Sequence, residues 1–181
     1  MNGRQHAEQQ IRDFIESDEQ GMLLTGTHQF EKHKLIMAII GTDYPNASVL
    51  FRIDGMGNTT NPSLVGLSRQ PKAGEVVRYL RCRYSFDATT RPSTWDQTVR
   101  PFSAAIVYPL DWMMKERKLE PLKELTRCRK ISKVFYCSCK DFPEYDYSLL
   151  EGLYQRHVVF DSEEENPEYH QRVLDSQKKR Y

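Results

Sequence analysis

"MLLTGTHQFEKHK", residues 22–34, is the stretch that decides the predicted fold of this chain. It begins as a short apolar strand, continues through a loop that starts at Gly26, and ends in the basic start of a helix. The helix predicted from Phe30 to Ile40 becomes almost wholly apolar, which is typical of a helix that is buried on most sides. A strand followed at once by a buried helix is the unit from which α/β domains are built.

The same alternation of strands and helices continues along the chain. Further apolar strands are predicted at ASVLFRID, SAAIVYPL, KVFYCSC and HVVF. A helix is predicted from about Trp112 to Cys128, and a break near Pro121 is left open. Gln5 to Ser17 has apolar residues at helical spacing and predicts an amphipathic helix. We therefore predict a three-layer α/β fold with a mainly parallel central sheet of about five strands and helices on both faces.

One segment departs from the pattern of buried parallel strands. VVRYLRCRYSF, residues 76–86, alternates between apolar and polar positions, which predicts a strand with one wet face in a hairpin-like insert. Tyr79, Arg81 and Arg83 share the polar face. Such a face can contact phosphates and stack bases, so these residues are candidates for nucleic-acid binding. The alternative is a solvated edge strand whose charges prevent aggregation.

The elements predict one domain and a tail. Residues 1–162 form the α/β domain, with the N-terminal helix inside residues 1–18, and residues 163–181 form a charged C-terminal tail. Residues 55–75 are rich in Gly, Asn, Pro and Ser and predict a long irregular loop.

The composition limits the classes of function. The chain has 181 residues and a net charge of +1, so its charge nominates neither nucleic acid nor an anionic membrane as a partner. It has no run of about 18 apolar residues, so no membrane span is expected. The N-terminus lacks the apolar core of a signal peptide, so we expect a cytoplasmic protein. The four cysteines match no zinc spacing, and no metal site is predicted.

The loop after the first strand can be aligned with the phosphate-binding pattern G-x-x-x-x-G-K-[ST]. In that pattern, backbone N–H groups hold the phosphates, the lysine adds a charge and the hydroxyl helps to hold Mg²⁺. Gly26 is the first glycine and Lys32 is the lysine, whereas Glu31 stands at the second glycine and His33 at the hydroxyl. The candidate phosphate-binding or nucleotide-binding residues are Gly26, Thr27, His28, Gln29, Lys32 and His33.

This pattern and the strand order around it resemble P-loop NTPases of the RecA/AAA-like kind. AAIVYPLD looks like a Walker B segment that ends in Asp111, and KVFYCSCKD is similar to the later strand that carries a polar sensor residue, here Ser138. The resemblance covers about residues 21–160. It implies that Lys32 contacts phosphate and that Asp111, the one catalytic candidate, holds Mg²⁺, with ATP or GTP as the cofactor. Pro109 inside the Walker B strand departs from the family pattern.

The two substitutions in the pattern argue against catalysis. Glu31 brings a Cβ and a negative charge towards the phosphates, and Coulomb repulsion at about 4 Å is roughly 4 kcal/mol at an effective dielectric constant of 20. His33 is a poor ligand for Mg²⁺, which prefers oxygen. Both are also compatible with a solvated first helical turn in which Glu31 lies near the positive helix N-terminus.

We therefore predict a non-catalytic binding or regulatory protein on a degenerate P-loop NTPase-like scaffold, which acts through contacts with a protein or with nucleic acid. Three alternatives stay open. The first is an active, divergent P-loop ATPase or nucleotide-dependent enzyme. The second is a nucleic-acid-binding module that uses Arg81 and Arg83. The third is another α/β fold in which the match to the pattern arises by chance. The sequence does not indicate an oligomeric state.

Overall fold

Apolar runs and their flanking loops produce seven strands and five helices in the computed structural model, which describes residues 2–178. The strands are β1 (Gly21–Thr25), β2 (Ser48–Ile53), β3 (Val77–Tyr79), β4 (Cys82–Ala88), β5 (Phe102–Tyr108), β6 (Ile131–Cys137) and β7 (Arg156–Val159). The helices are α1 (Arg4–Glu16), α2 (Lys32–Asp43), α3 (Asp111–Glu116), α4 (Glu120–Cys128) and α5 (Pro167–Lys178).

All seven strands lie in one sheet in the order β3-β4-β2-β5-β6-β1-β7. Every neighbouring pair is parallel except β3 and β4, which are antiparallel. The predicted three-layer, mainly parallel α/β fold is confirmed. The strand count of about five was too low, because the hairpin-like insert contributes two strands and β4 extends the parallel part of the sheet.

The two faces of the sheet are covered by different helices. On one face, alternate strand residues such as Met22, Phe51 and Phe135 pack with buried residues of α1 and α2. On the other face, residues such as Leu23 and Val107 pack with buried residues of α3 and α4. Because successive strand residues point to opposite faces, a central parallel strand buries both sets, which explains its continuous apolar run.

Two predicted elements fold differently in detail. The segment from Trp112 to Cys128 is broken, as the alternative near Pro121 allowed: it forms two helices, interrupted where Arg117 adopts a left-handed backbone conformation with φ of 53°, and the second begins at Glu120. The long loop of residues 55–75 is partly ordered by the core: it contains a 3-10 helix over Met56–Thr60, and Leu64, Val65 and Leu67 are buried. No helix among residues 2–178 is long and apolar enough to cross a membrane.

The segment predicted as a single strand is a tight hairpin. Leu80 and Arg81 have φ values of 42° and 65°, and they form the two-residue turn between β3 and β4. Tyr79 therefore lies on the core side, where its hydroxyl donates a hydrogen bond to the Val65 carbonyl at 2.8 Å. Tyr79, Arg81 and Arg83 do not share one strand face, so the geometry expected for them was wrong.

A buried ion network holds β2, β4 and α4 together. Arg52 is fully buried and donates two hydrogen bonds to the Asp87 carboxylate, at 2.8 and 2.7 Å. Its third nitrogen donates to Glu124 at 2.9 Å, and its guanidinium lies 4.5 Å from the centre of the Trp95 ring. Asp87 is also fully buried and accepts a further hydrogen bond from Thr98 at 2.8 Å. These ion pairs and hydrogen bonds compensate the cost of burying charged groups in the sheet interior.

Replacing Arg52 tests how much of the fold depends on this network. Arg52→Met leaves the Asp87 carboxylate buried with only the Thr98 hydroxyl as a donor, so we expect the free energy of unfolding to fall by about 3–5 kcal/mol. Urea denaturation measures the change. Arg127→Met removes an exposed arginine from α4 and is the matched control; we expect it to change stability by less than about 0.5 kcal/mol. Equal effects of the two substitutions would contradict this account.

Candidate functional site

The glycine of the candidate loop is required by its backbone conformation and its surroundings. Gly26 follows β1 with a φ of 116°, which residues with a side chain rarely adopt. A Cβ at this position would lie 2.3 Å from the carbonyl oxygen of Phe160, the residue that follows β7. The loop therefore turns tightly beneath the chain that leaves β7.

The backbone N–H groups of the loop donate to acceptors of the protein itself. The Gly26 N–H donates to the Asp141 carboxylate at 2.6 Å, and the Thr27 N–H donates to the Asp161 carboxylate at 2.9 Å. The His28 N–H donates to the Phe160 carbonyl at 3.2 Å. The donors that would hold phosphate oxygens in a P-loop thus bind two carboxylates and a carbonyl oxygen.

Lys32 is the cation of this arrangement. Its side chain is fully buried, its Nζ donates to the Cys139 carbonyl at 3.3 Å, and its Nζ lies 3.9 Å from the Asp141 carboxylate. Burial lowers the pKa of Lys32, and the negative charge of Asp141 opposes that shift. Asp141 also accepts a hydrogen bond from the Tyr147 hydroxyl at 2.5 Å. One carboxylate therefore connects the loop, the buried lysine and the segment after β6.

Asp111, the candidate Mg²⁺ ligand, accepts hydrogen bonds from the turn that follows β6. Its two carboxylate oxygens accept hydrogen bonds from the N–H groups of Cys139 and Lys140, at 2.8 and 2.9 Å. Burial is the largest effect on its pKa and raises it. Lys32 donates to the carbonyl of the same Cys139, so Asp111 and Lys32 hold one turn after β6 from two sides.

His33, which stands at the hydroxyl position of the pattern, faces the core. Its Nε2 lies 2.5 Å from the Leu64 carbonyl, and its ring stacks on Tyr108 with 3.8 Å between ring centres. Burial lowers the pKa of His33 to about 3, so the imidazole is neutral near pH 7. With its proton on Nε2, the neutral ring donates a hydrogen bond to the Leu64 carbonyl.

The rest of the loop is held by the chain after β7 and by α5. The Thr27 hydroxyl accepts a hydrogen bond from the Ser162 N–H at 2.9 Å and lies 2.8 Å from Nδ1 of His170 in α5. The His28 ring packs on Phe160, with 4.2 Å between centres, and its Nε2 lies 3.3 Å from the Glu165 carboxylate. Burial is the main cause that lowers the pKa of His28.

The remaining loop residues contact neighbouring elements. The Gln29 carbonyl accepts a hydrogen bond from the Tyr108 hydroxyl at 2.9 Å. The Glu31 side chain is turned towards cations at the surface: its carboxylate lies 4.0 Å from Arg4 and 3.8 Å from Lys34.

The structure thus brings Lys32 and Asp111 to the same turn after β6, whereas His33 contacts the core and Thr27 and His28 contact the chain after β7. Tyr79, Arg81 and Arg83 lie elsewhere, at the β3–β4 end of the sheet, and a role for them in nucleic-acid binding stays a prediction. The partners that sequence reasoning missed are Asp161, Ser162 and His170, together with the role of Asp141. Asp141 and Asp161 follow β6 and β7, the two neighbours of β1, so the rule that loops meet at the carboxyl edge of a parallel sheet would find them once the strand order is known.

Comparison with known proteins gives one informative likeness. The chain superposes on the large terminase from a thermophilic bacteriophage with a TM-score of 0.60 and 9% sequence identity, over 97% of this chain and 50% of the terminase. The chain therefore spans about half the length of that protein. At this identity the likeness shows the α/β fold alone. No family model and no curated protein sequence matches the chain.

Replacing Gly26 tests the tight turn of the loop. Gly26→Ala combines a strained positive φ with a contact to the Phe160 carbonyl that no flexible side chain can relieve, so we expect a loss of at least about 2 kcal/mol in the free energy of unfolding. Gly55→Ala is the control, because a Cβ at Gly55 has no atom within 4 Å. Chemical denaturation of both variants measures the difference, and an equal, small effect would show that the loop relaxes easily.

The burial of Lys32 predicts a pH-dependent stability. Folding lowers the pKa of Lys32 below its usual value of 10.5. At low pH the native state therefore buries a charged ammonium, which reduces the free energy of unfolding. This loss of stability disappears as the pH rises through the folded-state pKa towards 10.5. We expect wild type to gain stability relative to Lys32→Met between about pH 7 and about pH 10.

Urea denaturation over this pH range measures the difference between the two proteins. Lys34→Met removes a lysine from the more exposed side of the same helical turn, and its stability should run parallel to that of wild type. A constant difference between wild type and Lys32→Met would mean that the pKa of Lys32 is not lowered by folding.

Proposed function

We propose that this chain is a non-catalytic binding or regulatory protein on a P-loop NTPase-like scaffold. The observation that carries the proposal is that the N–H groups of Gly26 and Thr27 donate to the carboxylates of Asp141 and Asp161, with the buried Lys32 beside Asp141. The protein's own carboxylates take the places that phosphate oxygens take in a working cradle. The scaffold then serves to hold surfaces that contact other molecules.

The fit of a nucleotide with Mg²⁺ is poor on the same contacts. A phosphate group at this loop would have to replace two charge-assisted hydrogen bonds, each contributing about 1.5–3 kcal/mol. It would also lie near Asp141 and Asp161, whose negative charges repel it. The oxygen ligand expected for Mg²⁺ is absent at His33, whose imidazole is bonded inside the core. These residues do not fit the cofactor that the family resemblance implies.

The rival function is an active, divergent ATPase in which the carboxylates move away and Lys32 contacts phosphate. It predicts Mg²⁺-dependent nucleotide binding that requires Lys32. Our proposal predicts that ATP and GTP stabilise the protein no more than other polyanions of equal charge do.

Thermal unfolding with millimolar ATP or GTP, with and without Mg²⁺, separates the two functions. A ligand at about 100 times its dissociation constant adds about 2.7 kcal/mol, which for a domain of this size raises the midpoint by roughly 5–10 °C. We expect a shift below about 2 °C that Mg²⁺ does not change. Inorganic tripolyphosphate is the control for non-specific anion binding.

A larger, Mg²⁺-dependent shift that disappears in Lys32→Met would overturn the proposal and support the ATPase. A shift that persists in Lys32→Met would place nucleotide binding away from the loop and would leave the proposed role of the loop intact. Asp161→Asn is a useful third protein, because it removes one negative charge from the cradle and keeps an oxygen acceptor for the Thr27 N–H.

A further inference from the structure

The sheet ends in an open strand, β3, at the edge farthest from β7. The Arg81 carbonyl accepts from the Asn46 N–H, and the Arg83 N–H donates to the Ala47 carbonyl, so both residues turn their backbone groups away from β3. Alternation along the hairpin then turns the backbone groups of Arg78, the residue opposite Arg83, away from β4. Within residues 2–178, no hydrogen bond satisfies the N–H or the carbonyl of Arg78.

Two arginines give the face around this edge a positive charge. Arg78 and Arg83 lie directly opposite each other, an arrangement in which like charges destabilise a strand pair. Their guanidinium groups both contact Asn46, at 3.3 Å. No carboxylate of the described chain lies within 4.0 Å of either guanidinium. Arg100 extends the charged face, since it donates a hydrogen bond to the hydroxyl of Ser85, two residues after Arg83.

Exposed apolar side chains lie at both ends of β3, with Val76 just before the strand and Leu80 in the turn after it. Val76 and Leu80 are 53% and 45% exposed, and they are two of the four large apolar side chains that are exposed among residues 2–178. Short length and charge alone would protect an edge strand from aggregation. Exposed aliphatic side chains work against that protection, and together with arginine they are typical of the core of a protein–protein interface.

A groove of about 340 Å³ borders β3 on the face that carries Val77 and Tyr79, opposite the face of Arg78 and Arg83. Leu67, Pro71, Arg78 and Tyr79 are among its lining residues, as is Arg69, whose guanidinium is paired with Glu75. A strand added beside β3 would place alternate side chains in this groove and the others beside the arginines, because successive residues of a strand point to opposite faces. Outward backbone groups and a pocket for alternate side chains are the two features that strand addition uses.

We propose that the β3 edge binds an extended, acidic segment of a partner protein by strand addition. The N–H and carbonyl of Arg78 pair with the backbone of the segment. Carboxylates of the segment face Arg78 and Arg83, and the alternate, apolar residues enter the groove beside Leu67, Pro71 and Tyr79. A nucleic acid fits less well, because Tyr79, the aromatic residue of β3, lies on the opposite face of the hairpin from Arg78 and Arg83 and does not offer them a neighbouring stacking ring. This surface does not depend on the state of the loop at Gly26.

A synthetic nine-residue peptide of alternating Glu and Val tests the proposal. We expect it to bind wild type with a dissociation constant between about 10 µM and about 1 mM. In the complex, NMR-detected hydrogen exchange of the Arg78 amide should slow at least about tenfold, since that N–H becomes hydrogen-bonded. The same peptide with alternate backbone nitrogens methylated keeps the charge and loses strand pairing, and it should bind at least about tenfold more weakly.

Variants of the protein separate the charge from the backbone. Arg78→Gln keeps the edge N–H and removes the charge, and we expect it to weaken peptide binding by about tenfold. Arg127→Gln removes an exposed arginine of α4, far along the sequence and on another element, and should leave affinity unchanged. Urea denaturation of both variants checks that they remain folded.

Three results would overturn the proposal. The first is no saturable binding of the alternating peptide at about 1 mM. The second is equal affinity for the methylated peptide, which would show charge attraction without strand pairing. The third is tighter binding of a duplex DNA of about 20 base pairs that falls steeply with salt and is lost in Arg78→Gln, which would assign the arginines to phosphate contacts.

Discussion

The Asp141 carboxylate is the group on which the carboxyl edge of the sheet depends. It accepts a hydrogen bond from the Gly26 N–H and another from the Tyr147 hydroxyl, and it lies 3.9 Å from the buried ammonium of Lys32. A buried ammonium is costly unless a negative group and further hydrogen bonds compensate it. A tight glycine turn before a helix also presents N–H groups that need acceptors. One carboxylate meets both requirements, and Asp161 supplies the next acceptor.

This arrangement follows from the strand order. β6 and β7 are the two neighbours of β1, and all three strands are parallel, so their following loops meet at one edge. Asp141 comes from the loop after β6 and Asp161 from the chain after β7. The loop after β1 lies between them and draws one acceptor from each side. The helix α5 then completes the contact, because His170 lies 2.8 Å from the Thr27 hydroxyl.

The sequence predicts the fold well where the signal is local. Apolar runs and helical spacing identify the α/β class, and the residues of the loop cluster because they are contiguous in the chain. A hairpin-like insert was predicted, but its turn was not located, because the turn consists of Leu80 and Arg81, which lack the Asn or Gly that usually marks such a turn. The turn shifts the alternation by one residue, so Tyr79 and Arg83 lie on opposite faces.

The partners of the loop could not be found in the same way, since Asp141 is 115 residues from Gly26 and Asp161 is 134 residues from Thr27. Pairing over such separations is decided by strand order, which periodicity does not reveal. The buried network of Arg52, Asp87 and Glu124 could not be predicted for the same reason. A lone arginine in an apolar strand gives no indication of which carboxylates the tertiary structure will bring to it.

The loop differs from the phosphate-binding pattern in the partners of its N–H groups as well as in two of its residues. Replacing Glu31 with glycine would remove a side chain whose carboxylate lies near Arg4 and Lys34. Restoring a hydroxyl at His33 would remove a core contact with Tyr108. Neither change would free the N–H groups of Gly26 and Thr27, because their acceptors belong to other loops. Which acceptors the loop N–H groups bind therefore depends on the whole carboxyl edge of the sheet. The segments after β6 and β7 determine it as much as residues 26–33 do.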